Sequence, residues 1–348
     1  MHAMLEETMN QATPRPRRRH RARLHVLATA VTAALTFACG AALAQPGSYP
    51  TRPIRIVVPF PPGGGVDFVA RTVAQRLGDS LKQQVLVENR SGAGGRIGAE
   101  AVARSAPDGY TLLMASPAEV VVLSALGQKL NYDPRRDLLP VTLAGEAPLV
   151  IAVHPSLAAK SIPELIALAR SRPGKVGFAT PGAGSSMQFA GAMLEIIGKI
   201  DLTHIPYKGA APALSDALGG QVPVLIVGIP PVVQHAKTGK LRVLAVTGER
   251  RSSALPDVPA VAELPGFAGY RFTNWMGVFV AAKTPAPIVE RLNMEIARIV
   301  REPATREVLA AQGVEAAGFS IAEFEAFLDS EARRYATIAR ERMIAVEE

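Results

Sequence analysis

Short apolar runs alternate along this chain with stretches in which apolar residues recur every three or four positions, the pattern of strand followed by amphipathic helix. The first unit is the plainest. Residues 54–60 read as a strand, and Pro61 and Pro62 end it because proline has no N–H to give a ladder. Gly63, Gly64 and Gly65 turn the backbone. Phe68, Val69, Val73 and Leu77 then share one helix face, with Asp67 placed as that helix's cap.

The pattern repeats. Residues 84–88 and 110–115 read as strands, and the glycine turn 92–98 between them opens a helix through Ala99, Val102 and Ala103. Residues 141–154 form a long extended segment, and Ser161 with Glu164 makes a capping box before Leu165, Leu168 and Ala169. Strand 175–179 leads into 180–186, TPGAGSS, built like the opening loop, and then into a helix over 187–197. Residues 204–207, 222–227 and 241–246 are extended, and 211–218 is helical. Residues 256–265 form a proline-bearing loop, and 271–280 is extended again, crossing back toward the first part of the chain. Two long helices close the chain, the first through Ile288, Leu292, Ile296 and Ile299. The second is capped by Ser320 with Glu323 and carries Phe324, Phe327, Leu328, Tyr335 and Ile338. The class this predicts is α/β, each domain a mostly parallel sheet flanked by helices. Glycine loops from two parts of the chain predict two facing domains, 45–146 with 276–348, and 147–275.

Charge separates off the N-terminus. Six arginines from Arg15 to Arg23 against Glu6 and Glu7 give residues 1–44 a net +4 of the total +8. An uncharged run from Val26 ends in Ala42-Leu43-Ala44, the pattern of an export signal cleaved after Ala44. A retained membrane anchor is the competing reading of that run. The remaining +4 is mild and forms no basic stripe with aromatics, so no nucleic-acid partner is expected. Cys39 is the only cysteine, which leaves no thiol chemistry or disulfide to the rest of the chain.

Two glycine loops, each running into a helix N-terminus, direct free N–H groups at one spot, and such a spot attracts an anion. The candidate ligand residues of the first loop are Phe60, Pro62, Gly63, Gly64, Gly65, Val66 and Asp67, with Phe60 and Pro62 as an apolar wall. Ser116 ends the third strand. In the second loop they are Thr180, Gly182, Gly184, Ser185, Ser186 and Gln188, where the hydroxyls of Thr180, Ser185 and Ser186 add donors. The competing reading is that the glycines serve only tight geometry. No loop carries G-x-G-x-x-G, no G-x-S-x-G elbow occurs, and His154, His204 and His235 lack ligand spacing, so no cofactor, catalytic residue or metal site is expected. Trp275 packs a core or lines a cleft, Arg96 meets an acidic ligand group or water, and Asp216 sits on an exposed helix face.

The stretches YPTRPIRIVVPFPPGGGVDFVAR, VENRSGAGGRIGAEAVARSAPDGYTLL, FATPGAGSSMQFAG, HIPYKGAAPALSDALGGQV and WMGVFVAAKTP resemble the substrate-binding receptors of tripartite tricarboxylate transporters, the Bug family. The resemblance runs from about Tyr49 to the C-terminus. It implies a periplasmic two-domain receptor that closes on its ligand like a flytrap, gripping a carboxylate through backbone groups and waters of loops matching 60–67 and 180–188. Val66, Arg96, Gln188 and Pro223 depart from the family's common residues, which leaves the ligand open. The expected protein is a monomeric periplasmic receptor, not an enzyme, that captures a small carboxylate. Its expected partner is a membrane permease of a tripartite transporter, or else a sensor protein. An exported enzyme acting on a carboxylated substrate is the remaining alternative.

Overall fold

The structure, a computed structural model, describes residues 49–344. The expected leader over 1–44, with Cys39 and the cleavage point after Ala44, lies outside the described residues.

The order is β1 (Ile54–Val58), α1 (Gly65–Leu81), β2 (Val85–Asn89), α2 (Arg96–Ala103), β3 (Thr111–Ala115), then β4 (Leu138–Val153). There follow α3 (Ile162–Ser171), β5 (Gly177–Thr180), α4 (Ser186–Gly198), β6 (Thr203–Pro206), α5 (Ala210–Leu218), β7 (Val224–Gly228), α6 (Pro230–Lys237) and β8 (Arg242–Val246). The chain closes with β9 (Thr273–Ala281), α7 (Ala286–Arg301), α8 (Pro303–Ala310), β10 (Glu315–Ala316) and α9 (Ile321–Glu341). A π turn over Ala118–Val122 and a short helical turn over Pro134–Asp137 join β3 to β4.

Among the described residues the strands form one sheet in the order β2-β1-β3-β9-β4-β7-β5-β6, with β8 and β10 paired to β4 off that path. The parallel ladders fall within β2-β1-β3 and within β7-β5-β6. The ladders that involve β9 and β4 are antiparallel. β4 belongs to both halves: Leu138 to Pro148 pairs with β9, and Leu149 to Val153 pairs with β7. Expected as an extended segment from 141, it begins three residues earlier.

Each half buries apolar strands under helices. Ile54, Ile56, Val57 and Val58 of β1 have no exposed surface, and Val66, Val69, Val73 and Leu77 of α1 cover them. In the other half β5 and β7 pack against α4 and α5 through Phe178, Leu225, Phe189 and Ala213. α9 touches both halves. Its Phe324 and Phe327 pack edge-on against Trp275, and Tyr335 packs edge-on against Phe189 of α4. Trp275 is fully buried and its Nε1–H donates to Glu331 Oε2 at 3.1 Å, which makes it a core residue and removes the cleft alternative.

Two helices went unforeseen. α6 and α8 each have proline within their first turn, where the missing N–H costs nothing because that position has no intrahelical acceptor. Pro230, Pro231 and Pro303 mark the starts of these helices, to which the sequence reading assigns no element. The box at Ser161 is also half-formed: Ser161 accepts the Glu164 N–H, but Glu164 Oε2 takes the N–H of Lys160 at 2.9 Å.

Gly98 marks the tightest approach between α2 and the end of β1. A Cβ there would stand 2.8 Å from Pro59 Cα and 2.9 Å from the Arg90 carbonyl oxygen. Both are backbone-fixed, so Gly98→Ala should lower the unfolding free energy by about 1–3 kcal/mol through overpacking. Urea unfolding checks this; an unchanged midpoint would mean that α2 is free to shift.

Candidate ligand-binding site

Loop 1, between β1 and α1, is held by a buried carboxylate. Asp67 is 4 % exposed and lies at the third helical position, so it is not the cap; Gly64 holds that position, with no side-chain bond. Asp67 instead reaches back: Oδ2 accepts the Gly63 N–H at 3.0 Å and the Arg71 Nε–H at 2.9 Å, and Oδ1 accepts from Asn89 Nδ2 at 2.9 Å. Asn89 also donates to the Phe60 carbonyl at 3.0 Å, tying both ends of the loop to β2. Burial opposes the charge on Asp67, but the bonds from Arg71, Gly63 and Asn89 outweigh it and hold its pKa at about 2.

Loop 2, between β5 and α4, repeats that plan. Gln188 sits at the third helical position of α4 and its Oε1 accepts the Gly184 N–H at 2.7 Å, as Asp67 accepts that of Gly63. Gly63 and Gly184 occupy the same place before their caps and share left-handed backbone, with φ of 88° and 70°. That conformation is where glycine is needed. In each loop the helix-initial N–H groups precede the first i−4 bond, Phe68 to Gly64 in one and Phe189 to Ser185 in the other. The groups in front, those of Gly65, Val66 and Asp67 and of Ser186, Met187 and Gln188, have no intrahelical acceptor. Gln188 N–H is taken by Ser185 Oγ at 3.3 Å, leaving the others for a ligand.

Strand register brings the loops toward one another. Ala115 of β3 pairs with Gly277, which pairs with Leu143 of β4. Ala179 of β5 pairs with Leu225, which pairs with Ala152 of β4. β1, β2 and β3 therefore run along β4 toward rising numbers, and β5, β6 and β7 run toward falling ones. The C-terminal ends of both sets converge on the middle of β4, the place where open α/β sheets take ligands. Loop 1, Ser116 and the 92–98 turn lie at one end; loop 2 and Tyr207 lie at the other.

The hydroxyls expected as ligand donors are used within the protein. Thr180 has no exposed surface and donates to the Gly182 carbonyl at 3.1 Å, while His204 Nε2 lies 2.7 Å from its Oγ1. The tautomer of the His204 ring sets which of the two donates. Burial pushes the His204 pKa down to about 4, so the ring stays neutral near neutrality. Ser185 donates to the same Gly182 carbonyl at 2.7 Å, and Ser186 Oγ is bonded to Tyr335 at 3.1 Å. These side chains are engaged in shaping loop 2. Pro62, Gly63, Gly64 and Gly65 are exposed, Phe60 is half-buried, and Val66 is buried. Gly182 is half-buried, and Ser116 is 3 % exposed against Glu119.

Asn89, Arg71, His204 and Tyr335 were not foreseen. Arg71, one turn after Asp67, is the one with a local signal; the others arrive from distant strands and from α9. Arg96 turns its Nε–H to the Ala93 carbonyl at 3.1 Å, and Asp216, expected to be exposed, accepts the Tyr207 hydroxyl at 2.7 Å. Among the described residues no cluster of acidic, histidine or cysteine side chains suits a metal ion, and no helix is long and apolar enough to cross a membrane.

An α/β sheet in two halves, with glycine loops at converging strand ends, is the architecture of periplasmic solute-binding proteins, and solved structures share it. An R. palustris protein with adipate superposes at TM-score 0.74 with 32% identity over 85% of this chain and 99% of that one. MatC from Rhodopseudomonas palustris with bound malate gives 0.68 and 30% over 83% and 99%. The model of the tripartite tricarboxylate transporter family receptor matches residues 69–344, and the chain belongs to that family. Protein BugT of Bordetella pertussis is 40% identical over 88% of this chain and 94% of its own. The family consists of periplasmic solute-binding receptors.

Asp67 carries the first test of the site. Its lowered pKa means that its contribution to stability is full above about pH 4 and fades as pH falls toward 2. Asp67→Ala should cost about 1.5–3 kcal/mol at pH 7, the range for hydrogen bonds to a charged group. Denaturant titrations of both proteins should show the gap closing between pH 4 and 2; a gap independent of pH would remove the charge from the explanation.

Proposed function

We propose that the protein is a periplasmic receptor that closes on a small carboxylate held between loop 1 and loop 2 and delivers it to the membrane subunits of a tripartite transporter. The observation that carries this reading is the duplicated loop. Two helices, one from each half of the sheet, start behind a left-handed glycine pinned by the side chain at the third helical position. Both present unsatisfied N–H groups from converging directions, and a carboxylate has lone pairs for two such clusters at once.

The lobes that close are 45–146 with 276–348, and 147–275, with β4 and β9 as the crossing strands. α9 lies in the first lobe and also packs, through Tyr335, against Phe189 of the second. Fold neighbours solved with adipate and malate favour a dicarboxylate over other anions. Capture and release need no bond-making, so the protein is a monomeric receptor and not an enzyme.

Native mass spectrometry of the exported protein, then thermal shift with adipate, malate and other carboxylates, tests the reading. A ligand at about 100 times its dissociation constant should add about 2.7 kcal/mol. A folded protein that no acid stabilises would refute it. Gly64→Val probes the loop itself: Gly64 has extended backbone and nothing within 4 Å of an added Cβ, so the variant should fold normally. Its side chain would occupy the ligand's place, and affinity should fall at least a hundredfold, or about 2.7 kcal/mol. Calorimetry showing unchanged affinity would move the carboxylate elsewhere.

A further inference from the structure

Glu119, in the π turn after β3, has no exposed surface, and both its oxygens face a single serine. Oε1 accepts the Ser116 N–H at 2.6 Å, and Oε2 lies 2.7 Å from Ser116 Oγ. The packing is close: a Cβ on Gly95 of the 92–98 turn would stand 3.1 Å from Oε2. Tyr132 donates its hydroxyl to the Glu119 carbonyl at 2.7 Å. On the side of α2 the nearby charged groups are Arg96 and Glu100, which bear on Tyr132. Toward α9, Arg135 is paired with Asp329, and Glu325 and Arg333 line a cavity behind Val120 and Val121. None of these pairs with the Glu119 carboxyl among the described residues. Burial raises its pKa to about 7 against the two bonds from Ser116.

A carboxyl that shares one hydroxyl has two arrangements. Ionised, it accepts the Ser116 Oγ–H, and that proton is spent inside the protein. Protonated from solvent, its own Oε2–H donates to Ser116 Oγ, and the serine hydrogen is released. Oγ then accepts from Glu119 and from the Ala118 N–H, 3.3 Å away, and its proton is free for another acceptor. Ser116 follows the last residue of β3, next to the strand from which loop 1 springs.

We infer that Glu119 is a positioning residue that decides, through Ser116, whether the bound carboxylate receives a hydroxyl hydrogen bond, so that ligand capture takes up a proton. This rests on the receptor reading above. The protonated arrangement offers the anion a donor; the ionised one offers it an oxygen lone pair.

Adipate binding measured by calorimetry between pH 6.5 and 8.5, where the probe is fully ionised, tests the inference. In the wild type, affinity should fall toward tenfold per pH unit above about pH 7, with fractional proton uptake seen as a dependence on buffer ionisation enthalpy. Glu119→Gln holds the donor arrangement permanently, its amide N–H on Ser116 Oγ, and should bind adipate with pH-independent affinity and no proton uptake. Ser116→Ala should bind weakly at every pH, also without uptake. Glu195, whose pKa burial raises to about 7 beside Arg342, titrates in the same window, and Glu195→Gln should keep the wild-type slope. A flat wild-type profile, or a slope that survives in Glu119→Gln and Ser116→Ala, overturns the role of Glu119 while leaving the receptor intact. No adipate binding at any pH, with no other acid stabilising the protein, overturns both.

Discussion

The structure depends on one strand that serves two half-sheets. β4 leaves its pairing with β9 at Pro148 and enters its pairing with β7 at Leu149. At that junction Glu146 is bonded to Arg271 and accepts the Thr273 hydroxyl at 2.8 Å. The Arg271 carbonyl in turn accepts from Arg334 of α9 at 2.8 Å, and Arg334 pairs with the buried Glu331 that holds Trp275. Charges removed from water are tolerated only when each is matched, and removing one member strands the next. Glu315 opposes Glu146 across the short β10 ladder, and its pKa is raised by burial first and then by the Glu146 charge. The cluster fixes where the chain crosses, and the crossing fixes which strand ends meet.

Much of this was legible because it is local. The strands of each half announce themselves as apolar runs, and the helices α1, α4, α7 and α9 as periodic faces, because burial on one side leaves that mark in order along the chain. The helices that open at Pro230 and Pro303 were not legible, because a proline reads alike as a stop and as a first-turn residue, and only the following turn tells which. The pairing order of the sheet left no local mark. Nor did the cluster at Glu146, whose partners Arg271 and Thr273 lie 125 and 127 residues further on and reach it only through β9.

The candidate site divides the same way. Glycines followed by a helical pattern disclose a loop and a helix N-terminus, and both loops were readable from that alone. The hydroxyls of Thr180, Ser185 and Ser186 were not, since a serine or threonine beside a glycine serves the loop or the ligand with equal chemistry. His204, arriving from β6, and Tyr335, arriving from α9, decide the matter by engaging two of them. What remains of loop 2 for the proposed ligand is backbone. A backbone grip recognises a carboxylate without regard to the rest of the molecule, so discrimination falls to groups around the loops.

The two loops share a plan and differ in charge, and the difference is instructive. Gln188 pins Gly184 with a neutral amide, so α4 offers a ligand its undiminished positive end. Asp67 pins Gly63 with a carboxylate, and beside the anion site proposed above an uncompensated negative charge would repel the ligand. Arg71 and Asn89 both donate to that carboxylate: the guanidinium matches its charge, and the Asn89 amide ties the loop to β2. The negative charge thus orders loop 1 while the Arg71 guanidinium offsets it. On the proposed reading Arg71 belongs to the anion site, since an Asp67 without its partner would turn the first loop from an attractor into a barrier.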